Sequence, residues 1–361
     1  MKGFQPGAKL LNSVLPVLLA FVIGGVIVFS IGGNAFEAYR VLLGRSFFTI
    51  KGLTNTLHYA APLVLAGLAI AVTFKANVFN MGVESQLVFG GFVAGLAGAF
   101  LRDMNPVTHK LICFLAGASC GMLFALLPAL LRAYFRVDEM VVTLTLNYAM
   151  VRVLEYLSAG PFRESGSGYV CTPTVQKSAM FIRFGNSRLT FFFLVTMVIF
   201  IIMAFVIRKT RLGYEIDAIG KNPVFAEAVG MRVRRKIIVL MLVSGALAGI
   251  AGTGQMLSES FKYTLNFSGS PGLGWDGMLI ALLGRHSPAG ILVASLFYSA
   301  LKIGSDNINM YTNVPKEIVS VIQSLIILFL AIRFIDERYS LLSRIKTRIL
   351  SGRRPKGGGD N

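Results

Sequence analysis

Three polar side chains able to bind a solute stand close together in an otherwise apolar part of the sequence. In FKANVFNMGVESQLVFGG, residues 74 to 91, Asn80, Glu84 and Gln86 supply two amides and a carboxylate, and Gly82 allows the backbone to break. Polar, non-helical backbone at membrane depth persists only where protein buries it or water reaches it. The segment is therefore either part of a solute path or a turn at a membrane surface. Glu84 is the residue on which these alternatives differ most, because an ionisable side chain inside a bilayer is a functional-site candidate.

A second apolar stretch is interrupted in the same way. SGSPGLGWDGMLIALLGRHSPAG, residues 268 to 290, begins with glycines and a proline, carries Asp276 at the start of an apolar helix, and breaks again near Gly284. Two interrupted segments in corresponding halves are typical of a transporter built from repeats, with its path at the repeat interface. Asn147 adds an amide within another apolar stretch. We expect the path to be lined by Asn80, Glu84, Gln86, Asn147 and Asp276.

The elements that position these residues are membrane spans. The chain is 55% hydrophobic and 14% charged, whereas soluble domains are roughly 45–50% apolar and about 25% charged. Leu189 to Ile207 carries no charge, and its length suffices to cross a bilayer. The pattern predicts an all-α integral membrane protein with about ten transmembrane helices, and with residues 34–58 at the interface or re-entering. The spans are expected near residues 10–31, 59–74, 87–101, 111–131, 140–157, 189–207, 237–257, 278–283, 291–303 and 314–335.

Glycine spacing and charge indicate how the spans are arranged. Gly117 and Gly121, like Gly245 and Gly249, are four residues apart, which predicts close helix packing. Basic residues dominate the loop 208–236 and both chain ends, which predicts that all three are cytoplasmic. Residues 1–336 then form one transmembrane domain. Its halves, about 59–158 and 237–336, are expected to be two inverted repeats of four to five spans with broken helices. The loops 159–188 and 258–275 would face outward, and the basic tail 337–361 is expected to be disordered at its end.

Several function classes are excluded by the motif content. The formal net charge of +18 is spread over the ends of spans, where basic residues contact anionic headgroups, so we expect no nucleic acid polymer as a partner. There is no GxxxxGK[ST] or HExxH motif, and the three cysteines and three histidines lack ligand spacing. We therefore expect no catalytic residues, metal or cofactor, and no enzyme. One alternative to a passive path is an ion-coupled secondary transporter that uses Glu84 or Asp276 as its ion site.

NPVFAEAVG, residues 222 to 230, is typical of a short, separately capped helix. Asn222 suits the N-cap, Pro223 the first helical position, and Gly230 the left-handed position beyond the end. A helix of barely two turns is marginal alone in water. It also displays apolar side chains among basic neighbours, so we expect it to be docked, either on the membrane surface or in a groove on a cytoplasmic partner.

Three stretches together resemble a known family. GYEIDAIGKNPVFAEAVGM, SGALAGIAG and GWDGMLIALLGRHSPAG, in this order, are similar to the membrane-spanning permease of bacterial ABC importers for sugars, nucleosides and branched-chain amino acids. FNMGVESQ and VDEMVVTLTLNY are most similar to the nucleoside and simple-sugar permeases. The resemblance covers about residues 59 to 335. The chain departs from the family pattern at Ser85, where glycine is usual, and at Lys221, where an acidic or polar residue is common.

The resemblance implies a multi-pass permease of the bacterial cytoplasmic (inner) membrane that carries a nucleoside or simple sugar by alternating access. Its implied partners are cytoplasmic ATP-binding-cassette ATPase subunits, a second permease subunit and an extracytoplasmic substrate-binding protein. A heteromer of two different permeases is favoured, and the two outward loops are the expected docking surface for the binding protein. The short helix becomes the coupling helix to the ATPases, with Asn222, Pro223, Phe225, Ala226, Glu227 and Gly230 as its residues.

Overall fold

The described part of the chain is helical. The computed structural model describes residues 18–19, 21–30, 32–269, 272–312, 320–321 and 324–325. Across these residues the only β-structure is two isolated bridges, Cys171 with Thr264 and Arg183 with Thr190. The all-α prediction is confirmed for this part of the chain. Most of the expected span at 314–335, and the tail at 337–361, lie outside the described residues.

Seven helices are long and apolar enough to cross a membrane, among the residues that the structure describes. They are α3, α4, α5, α6, α7, α10 with its π-helical extension, and α12. The helices in chain order are α1 (Phe21–Ser30), α2 (Ala35–Phe47), α3 (Ile50–Phe74), α4 (Val83–Phe100), α5 (Pro106–Phe135), α6 (Glu139–Ala159), α7 (Phe192–Lys209), α8 (Arg211–Lys221), α9 (Pro223–Ala228), α10 (Val233–Gln255, extended by a π-helix at Met256–Ser260), α11 (Leu273–Leu283) and α12 (Pro288–Tyr311).

Two expected spans have different bounds in the structure. The stretch 278–283 belongs to α11, which has 11 residues and is therefore about 16 Å long, half of what a bilayer core requires. The span expected from residue 59 begins at Ile50, because Thr49 caps α3 by accepting a hydrogen bond from the Gly52 N–H at 3.0 Å. Residues 50–58, expected at the interface, are thus the first turns of α3.

The chain separates into two compact units. One comprises residues 42–304 and holds most of the long helices. The other comprises the residues on either side of it. Within this second unit the rings of Phe21 and Tyr39 meet edge to face at 5.2 Å between centroids, and the Tyr39 hydroxyl donates to the Phe21 carbonyl.

Helix α10 lies at the centre of the larger unit, packed against α3, α4 and α5. Glycines lie where α10 and α5 approach most closely: Gly245 and Gly249 of α10 face Gly121 and Gly117 of α5. A Cβ on any of the four would overlap the neighbouring helix. Gly90 of α4 joins the same contact. Small residues allow membrane helices to approach this closely, and the packing expected from the glycine spacing is confirmed.

We predict that Gly249→Ala destabilises the protein. The added methyl would overlap the Gly117 carbonyl oxygen, and overpacking of this kind costs about 1–3 kcal/mol. Thermal unfolding in detergent, followed by circular dichroism, should show a lower midpoint. The matched control is Gly44→Ala in α2, where a Cβ would have no atom within 4 Å. An equal midpoint for both variants would show that the glycine contact does not limit stability.

Candidate functional site

The interruption between α3 and α4 is held together by Asn80. Its amide nitrogen donates to the Gln86 side-chain oxygen and to the Ser244 hydroxyl of α10, both at 2.9 Å. Its oxygen accepts from the Gly82 N–H at 3.1 Å and from the Gln86 amide at 3.2 Å. Asn80 and Gln86 are both buried. These bonds tie the broken segment, residues 75–82, to the first turn of α4 and to α10.

Helix α6 holds the other side of the broken segment with three residues spaced by four. Glu139 accepts from the Phe79 N–H at 3.1 Å, and Thr143 accepts from the Met81 N–H at 3.2 Å. Asn147 donates to the Met81 carbonyl at 2.7 Å and accepts from the Ser85 N–H at 3.1 Å. Residues four apart lie on one face of a helix. This face therefore supplies the hydrogen bonds that the backbone loses where the helix stops.

Glu84 joins the two interrupted segments. Its carboxylate accepts from the Gly274 N–H in the first turn of α11 at 2.6 Å, and the Ser268 side chain also bonds to it. A carboxylate at a helix N-terminus satisfies free N–H groups and the helix dipole. The approach requires glycine, because a Cβ on Gly272 (φ +116°) would lie 2.6 Å from a Glu84 carboxylate oxygen. The two interruptions expected from sequence thus meet here.

Asp276 bonds to α12 and not to the broken segment. Its carboxylate accepts from the Tyr298 hydroxyl of α12 at 2.6 Å, and both residues are buried. The structure therefore joins Asn80, Gln86 and Asn147 in one network, places Glu84 at the edge of that network, and directs Asp276 toward α12.

A cavity lies where these parts meet. It is small, with about 10 Å³ of free space, which is room for about one water molecule. Asn80 and Glu84 provide its polar side chains, and Trp275 is the aromatic residue in its lining. The lining residues are Ile70, Asn80, Met81, Val83, Glu84, Gly274, Trp275 and Met278. A few polar groups in a mostly apolar lining are typical of small-molecule sites, but such sites measure roughly 300–1,000 Å³, so this pocket must widen before it holds a solute.

The short capped helix is present as α9. Asn222 accepts from the Phe225 N–H at 3.0 Å, Pro223 is its first residue, and Gly230 follows it with a φ of +88°. Ala226 is fully buried, whereas Phe225 is 63% exposed. Glu227 is exposed as well. Helix α9 therefore has one docked side, and on the other side an exposed apolar patch formed by Val224, Phe225 and Val229.

Helix α8 connects α9 to the broken segment. Lys75, the first residue after α3, pairs with Asp217 of α8 at 2.9 Å between nitrogen and oxygen. Gly220 of α8 lies so close to the Lys75 carbonyl that a Cβ there would overlap it. Ala226 packs in the same buried cluster as Ala76 and Val78 of the broken segment. The Lys75 and Asp217 contact was not predicted, because it joins residues far apart in sequence.

Comparison with known proteins identifies the family. Residues 52–331 match the family described as "Branched-chain amino acid transport system / permease component". This chain belongs to that permease family. The members of this family are transport permeases, and the seven membrane-length helices make the chain a multi-pass membrane permease.

Three relatives of this permease carry more specific names. The guanosine ABC transporter permease protein NupP of Bacillus subtilis (strain 168) is 32% identical over 342 residues, 91% of this chain and 96% of the relative. The nucleoside ABC transporter permease protein NupB of Lactococcus lactis subsp. cremoris (strain MG1363) is 30% identical, with 91% and 92% covered. The glucose ABC transporter permease protein TsgB13 of Haloferax volcanii is 32% identical, with 90% and 88% covered. The resemblance to ABC permeases of nucleosides and sugars is confirmed.

We predict that Asn147→Leu destabilises the permease. The substitution leaves the Met81 carbonyl and the Ser85 N–H without their partner, and each unsatisfied buried polar group costs about 1–3 kcal/mol. The expected result is a lower thermal midpoint in detergent. Val151→Leu, at an exposed position of the same helix, is the control and should unfold like the wild type. If Asn147→Leu also unfolds like the wild type, the amide does not hold the broken segment.

Proposed function

We propose that this chain is the permease subunit of an ABC importer that carries a nucleoside or a simple sugar into the cell. The observation that carries the proposal is α9: a capped helix, fixed on one side to the broken segment, that exposes an apolar patch on the other. The substrate class is supported by the relatives, which are named for guanosine, nucleosides and glucose. The comparisons give no support to the ion-coupled alternative.

The proposed topology has an even number of spans, with both termini and the loop 208–236 in the cytoplasm of a bacterial cell. Basic residues in this loop support the orientation. The halves 59–158 and 237–336 are proposed as inverted repeats, followed by a cytoplasmic tail at 337–361. Support comes from α4 and α11, which each follow an interruption and meet at Glu84.

The proposed partners occupy opposite sides of the membrane. Each of two ATPase subunits binds the short helix of one permease, and here a groove on the ATPase receives the apolar patch of α9, as grooves commonly bind amphipathic helices. A substrate-binding protein docks outside on the loops 159–188 and 258–275, which form one surface through hydrogen bonds from Thr172 to Tyr263 at 3.1 Å and from Val175 to Phe261 at 2.8 Å. A second, related permease completes the path.

In the proposed mechanism, ATP binding closes the ATPases and displaces α9. Because α8 is attached to Lys75, the displacement reaches the broken segment and alters access to the cavity. Glu84 offers its carboxylate oxygens as acceptors to solute hydroxyls, and Asn80, whose two amide hydrogens bond to Gln86 and Ser244, lines the path beside it. Gln86 and Asn147 hold the segment that carries them, and Asp276 fixes the start of α11 against α12.

Uptake by the assembled complex tests this function. Proteoliposomes that hold the co-purified permeases and ATPases receive radiolabelled guanosine or ribose, with and without ATP and binding protein. We expect uptake only with both. Phe225→Asp should abolish it, because a carboxylate replaces an apolar contact, whereas Phe225→Leu should retain it. Recovery of the folded complex on size exclusion controls for assembly. Uptake that follows an ion gradient, ignores ATP and tolerates Phe225→Asp contradicts the proposal.

A further inference from the structure

Helix α6 exposes polar side chains as well as apolar ones such as Val141, and the polar side chains form a stripe. The stripe consists of Thr145, Tyr148, Arg152 and Glu155, at spacings of three and four residues that place them on one face. The Arg152 side chain is 81% exposed and Tyr148 is 73% exposed. Arg152 donates to the Glu155 carboxylate at 2.6 Å, so the charged pair lies together on the outside of the helix.

The depth of this stripe places it within the hydrocarbon core. Helix α6 has 21 residues, and at 1.5 Å per residue its length of about 31 Å matches a bilayer core of roughly 30 Å. Tyr148 then lies about 14 Å, and Arg152 about 20 Å, from the start of the helix. Charged residues at such depth almost always face a bundle interior or a water-filled cavity.

Helix α7 shows what a lipid-facing surface looks like in the same chain. Between its ends its exposed residues are all apolar: Leu194, Val198, Ile201, Ile202 and Phe205. The contrast between the two helices indicates that α7 faces lipid and that the polar stripe of α6 does not. The opposite side of α6 carries Glu139, Thr143 and Asn147, which hold the broken segment.

We propose that the polar stripe of α6 lines the water-filled path of the permease and contacts the solute directly. This inference rests on the proposed function. The solute class that fits is a ring with hydroxyl groups, such as a nucleoside, because Tyr148 offers a flat face for stacking and Arg152 and Glu155 offer donors and acceptors. Helix α6 then lies between the broken segment and the path. One face of the helix bonds to the broken segment, and the polar stripe on the opposite face lines the path.

Cysteine accessibility tests the stripe. Thr145→Cys and Tyr148→Cys are treated with a charged, membrane-impermeant methanethiosulfonate in proteoliposomes that hold the complete complex. Val198→Cys and Ile201→Cys of α7 are the matched lipid-facing controls, and the wild type, with its three native cysteines, sets the background. Only variants whose complete complex is recovered intact on size exclusion are compared. The thiolate is the form of cysteine that reacts, and an apolar environment raises the pKa of the thiol. A rise of one pKa unit lowers the thiolate fraction about tenfold.

We therefore expect the α6 cysteines to react at least about tenfold faster than the α7 controls, and guanosine with the binding protein to slow them. If the α6 cysteines react no faster than Val198→Cys while the complex is intact, the stripe faces lipid or a dry interface and the inference is wrong. Fast reaction that guanosine does not slow also overturns it, because water alone would reach the face. Loss of ATP-driven uptake in the wild type would refute the proposed function, while the labelling ratio still tests the stripe.

Discussion

The need to satisfy every polar backbone group inside a bilayer constrains the rest of this structure. A helix that stops at membrane depth leaves N–H and C=O groups with no water to bond. Here both interruptions are completed by side chains: Asn80 and the Glu139, Thr143 and Asn147 face of α6 serve the first, and Glu84 serves the start of α11. Because these bonds are specific in geometry, they define one arrangement of the broken segment and a cavity beside it.

The same broken segment connects the cavity to the outside of the protein. Lys75 and Asp217 form an ion pair in which the Asp217 side chain is 51% exposed, and such a pair contributes little to stability. The stronger constraint is steric, since the backbones at Gly220 and Lys75 are in direct contact and the methyl of Ala226 is buried in the same cluster. Close packing transmits displacement because packed interiors resist compression. In the proposed mechanism, a force on α9 reaches the residues beside the cavity through these contacts.

Local features of this fold could be predicted from the sequence, and long-range ones could not. Apolar length, glycine spacing and the caps around Asn222 are local; the glycine spacing and the caps predicted their elements, and apolar length predicted the long helices with other bounds at α3 and α11. The roles of polar residues depend on distant partners: Gln86 bonds to Asn80 and Asn147 to the Met81 backbone, and Asp276 bonds to Tyr298. Sequence patterns name such residues as candidates without distinguishing residues that contact the solute from those that hold the backbone. The four-residue spacing of Glu139, Thr143 and Asn147 was the one available signal.

The central claim is that displacement of α9 alters access to the cavity, and that the contact between α8 and Lys75 transmits this displacement. The most direct test is the number of guanosine molecules imported per ATP hydrolysed by the complex with Gly220→Ala, against Lys221→Ala at the exposed neighbouring position. A Cβ at Gly220 would force α8 away from the Lys75 carbonyl. The account predicts that ATP hydrolysis persists while import per ATP falls about tenfold, equivalent to about 1.4 kcal/mol of lost coupling, with Lys221→Ala unchanged. Equal import per ATP in both variants, with the complex intact, would contradict it.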